Sequence, residues 1–217
     1  KSTNHKVIQK LMHEERIVCK VRQHKYNSYK GQVGKIAPNV IERDFVADRP
    51  LEKLATDISQ VKIGDTKCYI SPVIDMFNGE VLAMDISRRP DLSQIERMLE
   101  DLFKNRDFQT SRTILHSDQG WQYQHFSFVD ALQKKGILQS MSRKGNCYDN
   151  ALMESFFGTM KSELLYLENF SSMDEFEIEL KKYVKYYNCD RIKTRLKTSP
   201  VNYRKQYQNS ITNPSNL

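Results

Sequence analysis

This sequence predicts an α/β fold, a five-stranded mixed sheet flanked by helices, with an N-terminal helical and basic arm and C-terminal helices. Three observations carry that expectation. Short apolar runs of strand length, bounded by turn residues, recur through the middle of the chain. Apolar residues at helical spacing separate the later runs, so strands and helices alternate there. Asn78-Gly79 lies between two of the runs and marks a hairpin, so the strands on either side of it are antiparallel.

Taken in order, residues 4–15 read as a short amphipathic helix with Val7, Ile8, Leu11 and Met12 on one face. A basic stretch follows, with Tyr26 and Tyr29 interleaved and with Gly31, Gly34 and Pro38 arguing against regular structure. It reads as an arm lying on DNA, the alternative being a plain linker. Strands are expected at 53–61, 67–75 and 81–87, with Pro72 suggesting an edge or a bulge in the second. Leu92, Ile95, Leu99 and Leu102 set a helix over 92–104. A strand at 113–117 ends at Asp118, a helix spans 124–135, Gly136 closes it, and the fifth strand is 137–140. The polar segment 141–150 reads as a loop feeding a helix whose Leu152, Met153, Phe156, Met160 and Leu164 can face the core. Ser172-Met173-Asp174-Glu175 is a capping box opening a helix to about 188, with Phe176, Leu180, Tyr183 and Tyr187 as its buried stripe. Ser199-Pro200 starts a last short helix, and the tail after Tyr207 looks frayed. The expected division is an arm at 1–48, a catalytic core with its C-terminal helices at 49–207, and a tail at 208–217. Three meandering strands, then helix, strand, helix and strand, is the order of a ribonuclease-H-like sheet; the strand arrangement itself comes by analogy.

Composition narrows the function. Hydrophobic residues make up 39% of the 217, enough for a core and too many for a disordered chain. No apolar run approaches the ~20 residues of a membrane span, so no membrane partner is expected. No signal peptide is visible, and the first residue is Lys1, as in a fragment or processed chain. Cys19, Cys68, Cys147 and Cys189 are widely spaced without a CxxC pair, which suits free thiols in a reducing cytoplasm better than zinc. The net charge of +7 is concentrated in two flanks. Arg16, Lys20, Arg22, Lys25, Lys30 and Lys35 occur with no acid between residues 16 and 41, and residues 181–205 hold nine Lys/Arg against Asp190. Basic flanks around a balanced centre suit a polyanion partner.

Asp57, Asp118 and Glu154 each sit in apolar sequence, with 35 residues between the second and the third and Lys161 seven positions after the glutamate. A strand and a strand end are rigid places for carboxylates, and a helix can bring in a third. Three carboxylates supply −3 against the +4 of two Mg²⁺ ions, leaving positive charge for a phosphodiester; such a pair of ions stabilises the attacking and leaving oxygens of an in-line displacement. Without metal the acids repel, by roughly 4 kcal/mol per pair at 4 Å in a dielectric near 20, so the free site should be mobile or partly protonated. Seven residues on a helix bring Lys161 within ~20° of the Glu154 face, about 10 Å along the axis. It suits a phosphate clamp, the alternative being a solvated surface lysine. His116 reads as a strand-end hydrogen-bonder rather than a base.

At these residues the chain resembles a known family. His116-Ser117-Asp118-Gln119-Gly120-Trp121-Gln122-Tyr123, the long run from Ser140 to Lys161 containing Gly145-Asn146-Cys147-Tyr148-Asp149-Asn150-Ala151-Leu152-Met153-Glu154-Ser155-Phe156-Phe157-Gly158, and Thr56-Asp57-Ile58 are similar to the bacterial insertion-sequence transposases of family three, whose downstream reading frame encodes a retroviral-integrase-like core. Tyr29-Lys30-Gly31 with residues 34–39, Tyr187-Asn188 through Arg191, and Ser199-Pro200 extend the likeness over nearly the whole chain. The resemblance implies a recombinase of the Asp-Asp-Glu class, with Asp57, Asp118 and Glu154 as catalytic residues binding two Mg²⁺ or Mn²⁺ ions. It implies cleavage at the ends of a mobile element, attack of the freed 3′-hydroxyl on another strand, and a joined-end circular intermediate. Double-stranded DNA is the implied partner, and a homodimer or higher synaptic oligomer is expected because two ends must meet. Lys161, Ser142, Arg143, Lys144 and Asn150, with Lys25 and Lys30 of the arm, are the candidate DNA contacts. Leu54 stands where the family commonly has tryptophan, and Lys193 where many members have histidine; neither touches the acids. A purely hydrolytic nuclease on the same fold and a non-catalytic DNA-binding module are the alternatives.

Overall fold

A computed structural model describes residues 4–17, 34–104, 108, 112–143 and 147–212. The chain divides into Lys1–Lys30 and Gly31–Leu217. In the first unit, α1 (His5–Glu14) is capped by the Asn4 side chain, which accepts from Lys6 N at 3.0 Å. Val7, Ile8, Leu11 and Met12 are all exposed on it. Most of the basic stretch, with Lys25 and Lys30, lies outside the described residues.

The second unit holds a six-stranded sheet. Its strands are β1 (Lys53–Thr56), β2 (Ser59–Ile63), β3 (Thr66–Asp75), β4 (Val81–Ser87), β5 (Ile114–Ser117) and β6 (Leu138–Met141). β4, β3 and β1 are antiparallel neighbours, while β1, β5 and β6 run parallel. The extra strand arises because the expected run 53–61 is interrupted. Thr56 pairs with Val73 and Ser59 with Ile70, so Asp57 and Ile58 fall opposite Pro72 and Ser71 on an otherwise unbroken register. Pro72 has no N–H to give the ladder, and its carbonyl accepts from Thr56 Oγ1 at 2.9 Å instead. The proline thus lies inside the sheet, not at an edge, and the register shift on the β4 side falls one residue later, between Val73 and Ile74.

Side chains alternate between two cores, as strand geometry requires. Leu54 and Val73 join Leu82, Ile95, Met98, Leu102, Leu115, Tyr123, Phe128 and Leu132 on one face. That face is covered by α2 (Leu92–Phe103), the one-turn α3 (Trp121–Gln124) and α4 (Phe126–Lys134). The expected helix 124–135 is divided by His125, whose ring accepts from Ser127 N at 3.3 Å and caps α4. Ala55, Ile70 and Ile74 join Met153, Phe156, Met160, Phe176, Leu180 and Tyr187 on the other face. There α5 (Ala151–Met160) continues through a wider turn at Lys161–Leu165, closed by Tyr166 N donating to Lys161 O, and α6 (Met173–Cys189) packs alongside. Ser172 caps α6 as its motif requires, donated to by Glu175 N at 3.1 Å. The last helix, α7 (Pro200–Thr212), runs past Tyr207. Cys68 is buried and Cys189 exposed, both unpaired.

The β3–β4 hairpin is the dock for the C-terminal segment. Its loop is longer than a two-residue turn: Asp75 N donates to Glu80 O, and the buried Asp75 carboxylate accepts from Leu51 N and Phe77 N. Arg204 of α7 forks onto Glu80 at 2.7 and 3.0 Å, Asn78 donates to Pro200 O, and Lys193 Nζ donates to Gly79 O. Gly79 has φ +73°, and a Cβ there would overlap Lys193 Nζ. Lys193 also lies over the Tyr187 ring at 4.7 Å, and burial pulls its pKa down to about 8. Gly79→Ala is therefore expected to cost roughly 2 kcal/mol, from left-handed strain plus the displaced lysine, lowering the melting midpoint by about 4–8 °C for a chain of this size. Calorimetry of the purified variant checks it; an unchanged midpoint would mean that the hairpin does not anchor the C-terminal segment.

Candidate active site

The parallel pairing of β1 with β5 builds the site. Leu54 faces Leu115 and Ala55 faces His116, and the same register carried two residues further sets Asp57 beside Asp118. Neighbouring strands lie about 4.8 Å apart, so the two aspartates emerge side by side where both strands stop. Each backbone then holds its own carboxylate: Ile58 N donates to Asp57 Oδ1 at 2.8 Å, and Gly120 N to Asp118 Oδ1 at 2.8 Å. Gly120 is needed at that approach, since a Cβ would come 2.9 Å from the same oxygen.

Glu154 is exposed in the first turn of α5, where the helix dipole favours an anion. Its charge reaches Asp57. Burial pushes the Asp57 carboxyl well above the usual carboxylate range; the Asp118 charge adds to this, and that of Glu154 adds a smaller part, against the donors Ile58 N and Asn150. Asp57 and Asp118 therefore share one end of the sheet, and Glu154 lies near enough for its charge to act on Asp57. As they stand, no three His, Cys, Asp or Glu side chains among the described residues are grouped tightly enough to hold a metal ion. The donor set nevertheless fits Mg²⁺ or Mn²⁺, being three hard carboxylates and no soft ligand, two on rigid strand ends and the third on an exposed helix face.

Beneath the aspartates the buried Tyr123 hydroxyl lies 3.5 Å from Thr56 Oγ1, and its pKa is raised by burial and then by the charges of Asp57 and Asp118. His116 is buried with both ring nitrogens used: Nε2 lies 3.0 Å from Asp149 O and Nδ1 2.8 Å from Ser140 Oγ. A carbonyl only accepts, so Nε2 carries the proton and Ser140 donates to Nδ1. Burial lowers the His116 pKa, which agrees with a structural histidine.

The expected DNA contacts divide. Lys161 is half-buried where α5 passes into the wider turn, still on the Glu154 face. Ser142 is 6% exposed, and its backbone is engaged by Gln119 and Ser117. Arg143 is exposed but paired with Asp149. Asn150 does not cap α5; its Nδ2 donates to Asp57 Oδ2 at 2.8 Å. Lys144, like Lys25 and Lys30, lies outside the described residues. Asp149 was not singled out from sequence, yet its buried carboxylate gathers Arg43, Arg143 and Asn39, and the Arg143 guanidinium holds it far below the usual carboxylate range.

Known proteins are similar to this chain in sequence and in fold. The family described as Integrase core domain matches residues 47–147, and a second family of the same description matches residues 154–207. The chain is 46% identical over 207 residues to the putative transposase InsK for insertion sequence element IS150 of Escherichia coli K12, covering 95% of this chain and 73% of that one. It is 45% identical to an uncharacterized transposase-like protein of Haemophilus influenzae, covering 95% of both. The transposase InsF for insertion sequence IS3A of E. coli is 32% identical over 75% of this chain and 55% of its own length. Among solved structures, a chain of the simian T-cell lymphotropic virus intasome aligns with TM-score 0.61 at 16% identity, covering 94% of this chain and 67% of that one. The HTLV-2 integrase catalytic core domain, solved in complex with magnesium, aligns with TM-score 0.56 at 15% identity over 72% of this chain and 98% of that one. At such identities the likeness shows the fold, which is that of retroviral integrase cores and ribonuclease-H-like.

Proposed function

Since the chain belongs to the insertion-sequence transposases that carry an integrase core, we propose that Asp57, Asp118 and Glu154 are its catalytic, metal-binding carboxylates. The activity is that of a DNA transposase, a polynucleotidyl transferase of the Asp-Asp-Glu class. The observation carrying the site assignment is the β1–β5 register, which stands Asp57 beside Asp118 within reach of the Glu154 charge.

Two Mg²⁺ or Mn²⁺ ions, when bound, would supply Lewis-acid stabilisation to the attacking and leaving oxygens of an in-line displacement. Asp57 and Asp118, fixed by Ile58 N and Gly120 N, hold the rigid side of the site. Glu154 closes it from α5. Asn150 occupies one oxygen of Asp57 and so limits repulsion among the acids before they are engaged. Lys161, on the same helical face, steadies the phosphate backbone. In the first displacement a water oxygen bonds to phosphorus at the element end and the P–O3′ bond breaks, leaving a 3′-hydroxyl on one side and a 5′-phosphate on the other. In the second, that hydroxyl's oxygen bonds to phosphorus of another strand and expels that strand's 3′-oxygen, so the number of phosphodiester bonds is conserved. A homodimer or larger synaptic assembly brings two ends together. The place of action is the bacterial cytoplasm, where the DNA is; no described helix is long and apolar enough to cross a membrane.

Incubation with labelled element-end duplex and Mg²⁺ is expected to yield joined strands. Nicks without joining would favour a hydrolytic nuclease, and a gel shift without chemistry a binding module. Binding is also expected to weaken steeply with salt, by about forty-fold between 50 and 200 mM if three phosphates are neutralised. A flat response in fluorescence anisotropy would remove the basic flanks from the interface.

A further inference from the structure

Asp149 is a buried carboxylate outside the trio that takes no part in the chemistry above. Asp149 has a side chain that is 1% exposed, yet five donors converge on it. Arg43 Nε reaches Oδ1 at 2.9 Å, Arg143 Nη2 reaches Oδ1 at 3.0 Å, Arg143 Nε reaches Oδ2 at 3.0 Å, Arg143 N reaches Oδ2 at 3.1 Å and Asn39 Nδ2 reaches Oδ2 at 3.2 Å. The donors come from two places far apart in sequence: the segment upstream of the sheet, which holds Asn39 and Arg43, and the residues just after β6. The upstream segment is fastened independently, since Val40 N and Ile41 N donate to Ser140 Oγ at 2.9 and 3.4 Å and Met141 N donates to Pro38 O at 3.2 Å. Ser140 in turn meets His116, whose other nitrogen holds the Asp149 carbonyl. Both ends of Asp149, carboxylate and carbonyl, are therefore tied down. The next residue is Asn150, whose amide rests on Asp57, and α5 with Glu154 begins one residue later.

A buried carboxylate is costly unless it is paired, and Asp149 is paired on both oxygens by donors from two distant segments, so those segments fix where it sits. The position it determines is that of Asn150 and the first turn of α5. We propose that Asp149 is a positioning residue for the active site, clamped by Arg43 and Arg143, and that the segment around Asn39–Arg43 is a strap that sets Glu154 and Asn150 against Asp57. The clamp acts through Asn150 and the start of α5. This inference rests on the metal-site reading of Asp57, Asp118 and Glu154. It also places the working limit of the catalytic body upstream of residue 49, since Arg43 supplies a donor that no residue of the sheet replaces.

The single tryptophan, Trp121, stands three residues after Asp118 and offers a readout independent of turnover. Mn²⁺ is titrated into the purified parent, Asp149→Asn, Arg43→Gln and Asp118→Asn proteins while Trp121 emission is followed, and strand transfer, melting midpoint and metal-free DNA affinity are measured on the same samples. The parent is expected to be quenched with a defined midpoint, and Asp118→Asn to lose that response. Asp149→Asn is expected to raise the Mn²⁺ midpoint at least about fivefold and to slow transfer about a hundredfold at low metal, the size of loss that follows a misplacement near 1 Å. High Mn²⁺ should restore part of that rate, and DNA affinity should stay within twofold. A midpoint and a rate within twofold of the parent would overturn the clamp. Should Asp149→Asn fail to fold, Arg43→Gln decides, because it removes one half-exposed arm: a midpoint raised at least about twofold supports the proposal, and an unchanged one overturns it. A parent whose Trp121 ignores Mn²⁺ while Asp118→Asn behaves identically would bring down the metal-site reading itself, and this inference with it.

Discussion

Glu154→Gln is expected to reduce strand transfer by at least about 10³-fold, equivalent to roughly 4 kcal/mol of transition-state stabilisation, while duplex binding is retained. Glutamine has nearly the same shape as glutamate and remains a good helix former, so α5 should form as before. Glu154 is exposed, and no core residue depends on it. Under the proposed assignment, what changes is one hard anionic ligand and one unit of charge: the carboxylate sum falls from −3 to −2, and a neutral amide oxygen is a weaker partner for Mg²⁺. The basic surface is untouched, so affinity for DNA should hold or rise slightly. Asp57→Asn is a less clean test. Asp57 already receives Ile58 N and the Asn150 amide, and an asparagine there would set an N–H against one of those donors. Joined products resolved on a denaturing gel, beside a gel shift in EDTA, separate the two effects. Transfer at the parental rate in Glu154→Gln would remove the glutamate from the site.

Much of this arrangement is legible in the linear sequence because it is local. Leu92, Ile95, Leu99 and Leu102 mark α2 to within a residue of its observed end, and all but Leu92 are buried. The strand 81–87 is read correctly because its ends are set by neighbouring turn residues. The errors have a common cause, which is distance along the chain. Residues 53–61 carry one continuous apolar pattern, and the reason they form two strands is Pro72, on the strand opposite. Nothing near residue 57 reports it. The pairing of β1 with β5, on which the aspartates' proximity depends, is likewise nonlocal and was supplied by analogy alone. Asp149 and Asn150 read as part of a polar loop for the same reason: their partners, Arg43 and Asp57, lie 106 and 93 residues away. A signal did exist in the Asp-Asn pair at a helix start, where either side chain could cap. In the structure neither is spent on the helix; one goes to the arginines and the other to Asp57. Short polar residues before a helix are thus ambiguous between capping and long-range support, and only the fold decides.

The second large effect falls on the support of the glutamate rather than on the glutamate. Phe156, two residues beyond Glu154, is 2% exposed and stands edge-on to Tyr187 of α6, with ring centroids 5.2 Å apart at 86°. Phe157 lies 5.6 Å from it. These rings, with the fully buried Met153 and Met160, hold α5 between the sheet and α6, since Glu154, Ser155 and Gly158 on its outer side are exposed. Phe156→Ala removes most of a buried ring and leaves a cavity, which should cost about 3–5 kcal/mol. For a chain of this size that lowers the melting midpoint by roughly 6–20 °C. Phe156→Leu keeps most of the volume and should lose far less, while Phe126→Ala, at a ring 76% exposed, should change stability by no more than about 0.5 kcal/mol. Transfer by Phe156→Ala should also fall at temperatures where the protein is still folded, because an under-packed helix samples positions in which Glu154 lies away from Asp57 and Asp118. Circular-dichroism melting of the three variants, with transfer assayed about 15 °C below each midpoint, tests both parts. If Phe156→Ala melts within 2 °C of the parent, α5 is not held by this contact, and the rigid placement of the third carboxylate must come from the Asp149 side of the helix instead.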